Sequence, residues 1–293
     1  MTIFCFGSIN LDHFYSVSHL PAAGETIGAS THQTGLGGKG ANQSVAAALA
    51  GSQVCHIGMV GPEGDWALER LQHFGVDTQF VGRSDEATGH AVIMVDEAGE
   101  NAIVVFGGAN QKQSLTQVNA ALERAKPGDI LLLQNEANLR EEAARAAKAR
   151  DMVVIYSAAP FVPGLAEAML PIVDILVVNE VEAEQLSTAL GVAVSGIPVH
   201  HLLITKGAAG VDWIDRESGK TVSIPAFSAD AVDTTGAGDC FLGYTASGLD
   251  QGMTREEAMR FGAAAAAVKI TRRGTADAFP TRGEVDARLA SRP

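Results

Sequence analysis

Asp239 closes a run of very small residues, Gly236-Ala237-Gly238, and Phe241, Leu242, Thr245 and Leu249 behind it recur at helical spacing. This is the pattern of a loop running into a helix, whose first N–H groups lack intrahelical partners and whose macrodipole places roughly half a positive charge at that end. Such a terminus binds anions, and side chains this small let a phosphate reach the backbone. The same dipole favours an ionised Asp239, and a carboxylate beside an anion site can take the proton of an alcohol. Phosphoryl transfer uses that combination, because its transition state is loose and catalysis consists of positioning and charge stabilisation. The residues alone leave a second reading open, in which Asp239 is only a helix-start carboxylate and Asp233 only a cap.

A second glycine-rich stretch, Gly35-Leu36-Gly37-Gly38-Lys39-Gly40, satisfies GxGxxG. Its context does not suit a dinucleotide fold: residues 29–34 are too polar for a buried first strand, and no acid stands about 20 positions on to hold a ribose hydroxyl. Nor is it a Walker loop, since Ala41 and Asn42 follow Gly40 where Lys and Ser/Thr are needed. On spacing alone it reads as a turn into the helix that begins at Ala41, with Lys39 solvated.

The elements that must position these groups alternate along the chain. Apolar or β-branched runs at 2–7, 54–60, 130–134, 152–156, 175–178 and 202–205 are expected strands, and 41–50, 65–74, 139–149, 181–190 and 237–249 are expected helices. That predicts an α/β fold: a central, mostly parallel sheet flanked by helices on both faces, a Rossmann-like three-layer arrangement. Half-exposed strands at 13–17, 25–33, 89–95 and 101–106, with a hairpin turn at 96–100, are expected to form a small separate β-sheet. No linker or repeat divides the chain, so residues 1–293 are read as one domain, with the small sheet's strands within 11–36 and 88–107.

With 293 residues, 46% of them hydrophobic, the chain can build a large core. Its net charge of -13 argues against nucleic acid or an anionic membrane as partner. Cys5, Cys55 and Cys240 have neither disulfide nor zinc spacing and fit a reducing cytoplasm. No basic, apolar leader and no long apolar run is present, so a soluble, unexported protein is expected. The eight histidines show no metal-ligand spacing, and Trp66 and Trp213 are expected to pack against the sheet.

Gly37-Gly38-Lys39-Gly40-Ala41-Asn42-Gln43, continuing through Ser44, Gly51 and Gly61, together with DTTGAGDC at 233–240, resembles the two signatures of the ribokinase/phosphofructokinase-B family of carbohydrate kinases. The blocks GSINLD at 7–12, PAAGET at 21–26, GENAIV at 99–104, GGAN at 107–110, NEVEAE at 179–184, ITKGAAGV at 204–211 and TRRG at 271–274 extend the resemblance over nearly the whole chain. It implies an ATP-dependent transfer of the γ-phosphate to the primary hydroxyl, O5, of D-ribose. Another sugar or a nucleoside (fructose, 2-deoxyribose, adenosine, pseudouridine) is the alternative substrate, and a non-catalytic sugar-binding module the alternative outside catalysis.

The resemblance further implies roles for individual residues. Asp239 would be the catalytic base, and Gly236, Ala237 and Gly238 the anion hole over the γ-phosphate. Asn10, Asp12, Gly38, Lys39, Asn42 and Glu136 would contact the sugar, whose paired hydroxyls suit carboxylates and amides. Asn179, Thr205 and Gly207, with Gly236 and Gly238, would lie against ATP, and Glu182 would hold magnesium through water. Asp233 and Thr235 would bind a monovalent cation, usually potassium, with backbone oxygens near Arg272, Arg273 and Gly274. The small sheet would be a lid, and a homodimer would form through it. Tyr244, where a small residue is usual, and the segment 261–263, which lacks a common Asn, are expected to alter the nucleotide side.

Overall fold

The computed structural model describes residues 1–291. The chain opens with β1 (Thr2–Phe6), β2 (Asn10–Ser16), β3 (Thr31–Gly37), α1 (Lys39–Leu49), β4 (Gln53–Val60), α2 (Asp65–His73), β5 (Asp77–Arg83), β6 (Gly89–Val95) and β7 (Asn101–Phe106). It continues with α3 (Leu115–Leu122), β8 (Ile130–Leu133), α4 (Arg140–Lys148), β9 (Val153–Ser157), α5 (Pro163–Met169), β10 (Ile175–Asn179), α6 (Glu180–Leu190), β11 (His201–Thr205), β12 (Val211–Asp215) and β13 (Lys220–Ile224). Three helices complete the described residues, α7 (Ala237–Asp250), α8 (Arg255–Lys269) and α9 (Arg282–Ala290).

Nine strands form the main sheet, in the order β13-β12-β11-β10-β9-β8-β1-β4-β5. All its pairings from β11 to β5 are parallel, and only β12, which pairs antiparallel with both β11 and β13, runs the other way. Side chains alternate across each strand and feed two cores. Ile3, Cys5, Leu132 and Ile155 pack on one side with Val45 of α1 and Phe241 and Leu242 of α7; Phe4, Phe6, Leu131 and Tyr156 pack on the other with Val118, Leu122 and Ala144. The expected three layers are therefore confirmed. At roughly 1.5–3 kcal/mol for each fully buried large apolar side chain, the two cores dominate the folding energy.

Outward from β1 the chain first builds β4 and β5 on one side, then β8 to β11 on the other. The order reverses between β1 and β8, which opens a crevice at their carboxyl ends.

The second sheet has four strands in the order β3-β2-β6-β7. One expected strand is misplaced: 25–33 is not a strand, and pairing with β2 begins only at Thr31 and runs to Gly37. The residues 31–34, too polar for a buried strand, lie on an exposed sheet edge where polar side chains cost nothing. Trp213 is buried on β12 as expected, but Trp66 is 37% exposed on α2 and does not join the core. The second half of the missed α8 is largely buried, so its run Ala263 to Ala267 carries no polar stripe to reveal a period.

Candidate active site

At the β1–β8 crevice the chain leaves β1 through Gly7 and Ser8 and returns as β2 at Asn10. The N-terminus of α1 docks directly on this turn. Ala41 N–H donates to the Ser8 carbonyl (2.9 Å), and Gly40 N–H to Ser8 Oγ (3.2 Å). A Cβ on Gly40 would fall 2.6 Å from Ser8 N, so no larger residue permits the approach. Gly38 precedes α1 at φ 86°, ψ 132°, a conformation open to glycine, and a Cβ there would stand 2.9 Å from the Ser8 carbonyl oxygen. These glycines serve close backbone approach, and the GxGxxG match was incidental.

Glu136, just beyond β8, closes the crevice. Its Oε2 accepts from Ser8 Oγ (2.5 Å) and from Lys39 N–H (2.8 Å), tying β8, β1 and α1 together. Asn110 holds the next turn: its Oδ1 accepts from Ile9 N–H (2.9 Å) and its Nδ2 donates to Asn10 Oδ1 (2.8 Å).

Asp239 comes from the first turn of α7, yet its partners are on α1. Asn42 Nδ2 donates to Oδ2 (3.0 Å) and Gln43 Nε2 to Oδ1 (2.9 Å), while Gln134 fixes Gln43 from behind (2.7 Å). Two motifs nearly 200 residues apart thus meet on one buried carboxylate. Asp239 makes no capping bond in α7, so the reading as a mere helix-start residue does not describe what it touches. Ahead of it Ala237 N–H donates to the Thr234 carbonyl, whereas Gly236 and Gly238 N–H have no partner among the described residues. Gly238 faces open space.

Four charges share this small volume. Asp12, near the root of β2, is 8% exposed and its Oδ1 has no hydrogen-bond partner. Burial first, and the neighbouring Glu136 second, push its carboxyl up to about 7. A Cβ on Gly37 would meet Asp12 Oδ2 at 1.9 Å, so glycine is what makes room for the carboxylate. Lys39 is only partly exposed: Asp239 raises its pKa most, against burial, with Glu136 and Glu182 adding to it. Asn42 Oδ1 is also buried and unpaired. Unpaired acceptors beside a partly buried ammonium form a lining that a polyol can satisfy.

On the far side of Gly238 lies a largely apolar cleft of ≈ 680 Å³. Thr205, Gly207, Phe227, Gly238, Phe241 and Ala263 are among its walls, so two expected nucleotide residues and the anion loop share one space. Asn179 and Glu182 form a capping box at the start of α6, each accepting the other's backbone N–H (2.8 and 2.9 Å). Of the Glu182 carboxylate, only Oε2 makes that bond. Among the described residues no cluster of three His, Cys, Asp or Glu could cage a metal. A smaller cavity (≈ 220 Å³) at Lys148, Asp174 and His200 lies at the amino ends of the strands, away from these groups.

The monovalent-cation ligands do not fit a free ion as they stand. Asp233 Oδ1 accepts from Thr235 N–H (2.8 Å) and Oδ2 from Gly274 N–H (2.9 Å), and its carbonyl already takes the ammonium of Lys269. The expectation for Tyr244 also changes. Its hydroxyl donates to the Pro280 carbonyl (2.6 Å), its ring packs edge-on against Phe261, and it does not line the cleft. Ala263 does line it. Sequence reasoning assigned no role to Ser8, Gln43, Asn110, Gln134 or Lys269. Gln43 and Asn110 stood inside the recognised blocks, but Gln134 and Lys269 read as ordinary strand-end and helix residues.

The sequence matches the pfkB family carbohydrate kinases over residues 2–282. It is 38% identical to a ribokinase of Haemophilus influenzae, with 97% of this chain and 96% of that protein covered. A crystal structure of ribokinase from Thermotoga maritima superposes with a TM-score of 0.90 at 34% identity, covering 99% of this chain and 100% of that one. Arabidopsis thaliana ribokinase complexed with ribose and ATP superposes with a TM-score of 0.85 at 32% identity, covering 99% of both.

Proposed function

The chain belongs to the pfkB family of carbohydrate kinases, and from that membership we propose that it transfers the γ-phosphate of ATP to O5 of D-ribose, giving ribose 5-phosphate. One observation carries the reading: Asn42 and Gln43 of the sugar-side helix hold Asp239 at the mouth of the Gly236–Gly238 loop, where a hydroxyl and a phosphate can meet.

In the proposed reaction Asp239 Oδ accepts the proton of the O5 hydroxyl as that oxygen bonds to the γ-phosphorus and the bond to the β-phosphate oxygen breaks, releasing ADP. The unpaired N–H groups of Gly236 and Gly238 receive the charge spread over the γ-phosphoryl oxygens, with Ala237 shaping the turn between them. Asn10, Asp12, Asn42, Lys39 and Glu136, with Gly38 allowing close approach, hold the sugar. Thr205, Gly207 and Asn179 stand on the nucleotide side. Magnesium, when bound to the nucleotide, neutralises phosphate charge, and Glu182 would hold one of its waters. No step above is routed through a monovalent cation at Asp233 and Thr235.

The four-stranded sheet acts as a lid that excludes water from the transfer. Its edge strand β7 leaves Ile103, Val104 and Val105 more than half exposed, and such an edge needs a cover, which a second copy of the chain would supply in a homodimer. The free, buried Cys5, Cys55 and Cys240 suit the cytoplasm.

The deciding experiment is ATP turnover by wild type and Asp239→Asn with D-ribose, 2-deoxyribose, fructose, adenosine and pseudouridine. Ribose is expected as the preferred acceptor, and the variant to lose about 10²–10⁴-fold in kcat while still binding ribose. Preference for a nucleoside would overturn the substrate, and a fully active variant would overturn the base.

A further inference from the structure

Lys269 ends α8 with its side chain wholly inaccessible to solvent. Its Nζ donates to the Asp233 carbonyl (2.8 Å) and the Arg272 carbonyl (3.4 Å) and lies 3.9 Å from Asp233 Oδ2. An ammonium buried this deeply is tolerated only where oxygens replace its water, and here all three neighbours are oxygens. The carbonyl at 2.8 Å and the carboxylate beyond it are the surroundings a hard monovalent cation takes.

The position matters as much as the donor set. Asp233 and Gly274, the two ends of this knot, are joined through the Asp233 carboxylate, and Thr235 N–H is held by the other oxygen of the same group. Gly236 follows Thr235 directly and opens the anion loop at φ 73°. A charge fixed at Lys269 Nζ therefore orders the segment that presents the Gly236 and Gly238 N–H groups. Side-chain tethering also removes any dependence on ion concentration, since the cation is part of the chain.

We propose that the Lys269 ammonium is a built-in monovalent cation that holds the 233–236 segment in its phosphate-binding shape, and that this chain needs no potassium for phosphoryl transfer. The inference rests on the kinase reading above. It assigns a positioning role, since Lys269 touches neither sugar nor phosphate. Replacement by alanine leaves the Asp233 carboxylate and two carbonyls around a space the length of a lysine side chain, which a potassium or ammonium ion can enter.

The test compares KCl with choline chloride at equal ionic strength, by ribose-dependent ADP formation and by thermal melting. Wild type is expected to give rates equal within about twofold and the same Tm in both salts. Lys269→Ala is expected to lose about tenfold or more in kcat in choline and to recover in KCl or NH4Cl. Its Tm is also expected to rise by several degrees with potassium alone, as a ligand binding only the folded state requires. A wild-type rate that climbs tenfold with potassium, or a wild-type Tm raised by it, overturns the proposal even if the variant fails to fold. A variant that folds but gains neither rate nor Tm from potassium overturns it as well. Wild type inactive in every salt refutes the kinase reading instead, and the melting comparison still decides the cation.

Discussion

Asp12→Asn is expected to make the empty enzyme more stable while making it a poorer binder of sugar, and pH separates the two effects. Burial and Glu136 raise the Asp12 pKa from 3.8 to about 7. With the folded-state value above the unfolded one, the folded chain keeps a proton that the unfolded chain releases. The resulting advantage is complete below 3.8 and is lost as pH rises through 7. At 1.36 kcal/mol per unit, ionising Asp12 in the empty site costs about 4 kcal/mol above pH 7 and about 2 kcal/mol at pH 5. Asparagine has the same shape and no such cost. The stability of the variant relative to wild type therefore grows by about 2–3 kcal/mol between pH 5 and pH 8, read from urea midpoints at unchanged m. For wild type, the KM for ribose rises as pH falls from about 8 to about 6 and the acceptor becomes an acid; the variant shows a high, flat KM. A stability gap that does not change with pH, or a variant less stable than wild type at pH 8, refutes the assignment of Asp12 as a strained, unpaired acceptor.

Three further outcomes follow from the geometry. Tyr244→Phe strands the Pro280 carbonyl and is expected to cost about 1–3 kcal/mol in urea unfolding with no change in the KM for ATP; a shifted KM would return Tyr244 to the nucleotide side. Gly38→Ala must abandon φ 86° or press its Cβ on Ser8, so a loss of about 1–3 kcal/mol and a raised KM for ribose are expected from melting and steady-state rates, whereas an unaltered KM would deny Gly38 its place against the sugar. Val104→Asp on the exposed strand β7 is expected to convert a dimer to monomers in sedimentation without changing monomer stability, and monomeric wild type would remove the lid interface altogether.

How far the sequence could be read depended on whether the informative contact was local. The strands 2–7, 130–134 and 175–178 and the helices at 65–74 and 181–190 carry their periodicity within a few residues, so the three-layer plan was legible from them. The pairing of Asp239 with Asn42 and Gln43 was not, because it exists only once α1 and α7 pack side by side. Short of that packing, Asp239 offered two readings of equal physical merit, and only the resemblance separated them. Lys269 shows a different case, where the fold brings a residue outside the motif onto a position the resemblance had assigned to a cation. Asp233, Thr235 and the 272–274 backbone are where a free cation was expected, yet a lysine two residues beyond an all-alanine run already reaches Asp233. No pattern of spacing announces that, since a lysine at a helix C-terminus is ordinarily a solvated partner of the macrodipole. What distinguishes this one is that its side chain is fully buried and its ammonium donates directly to two backbone carbonyls beside the Asp233 carboxylate. The motif positions match the family, so what the proposal turns on is a residue outside the motif that reaches the site only through the fold.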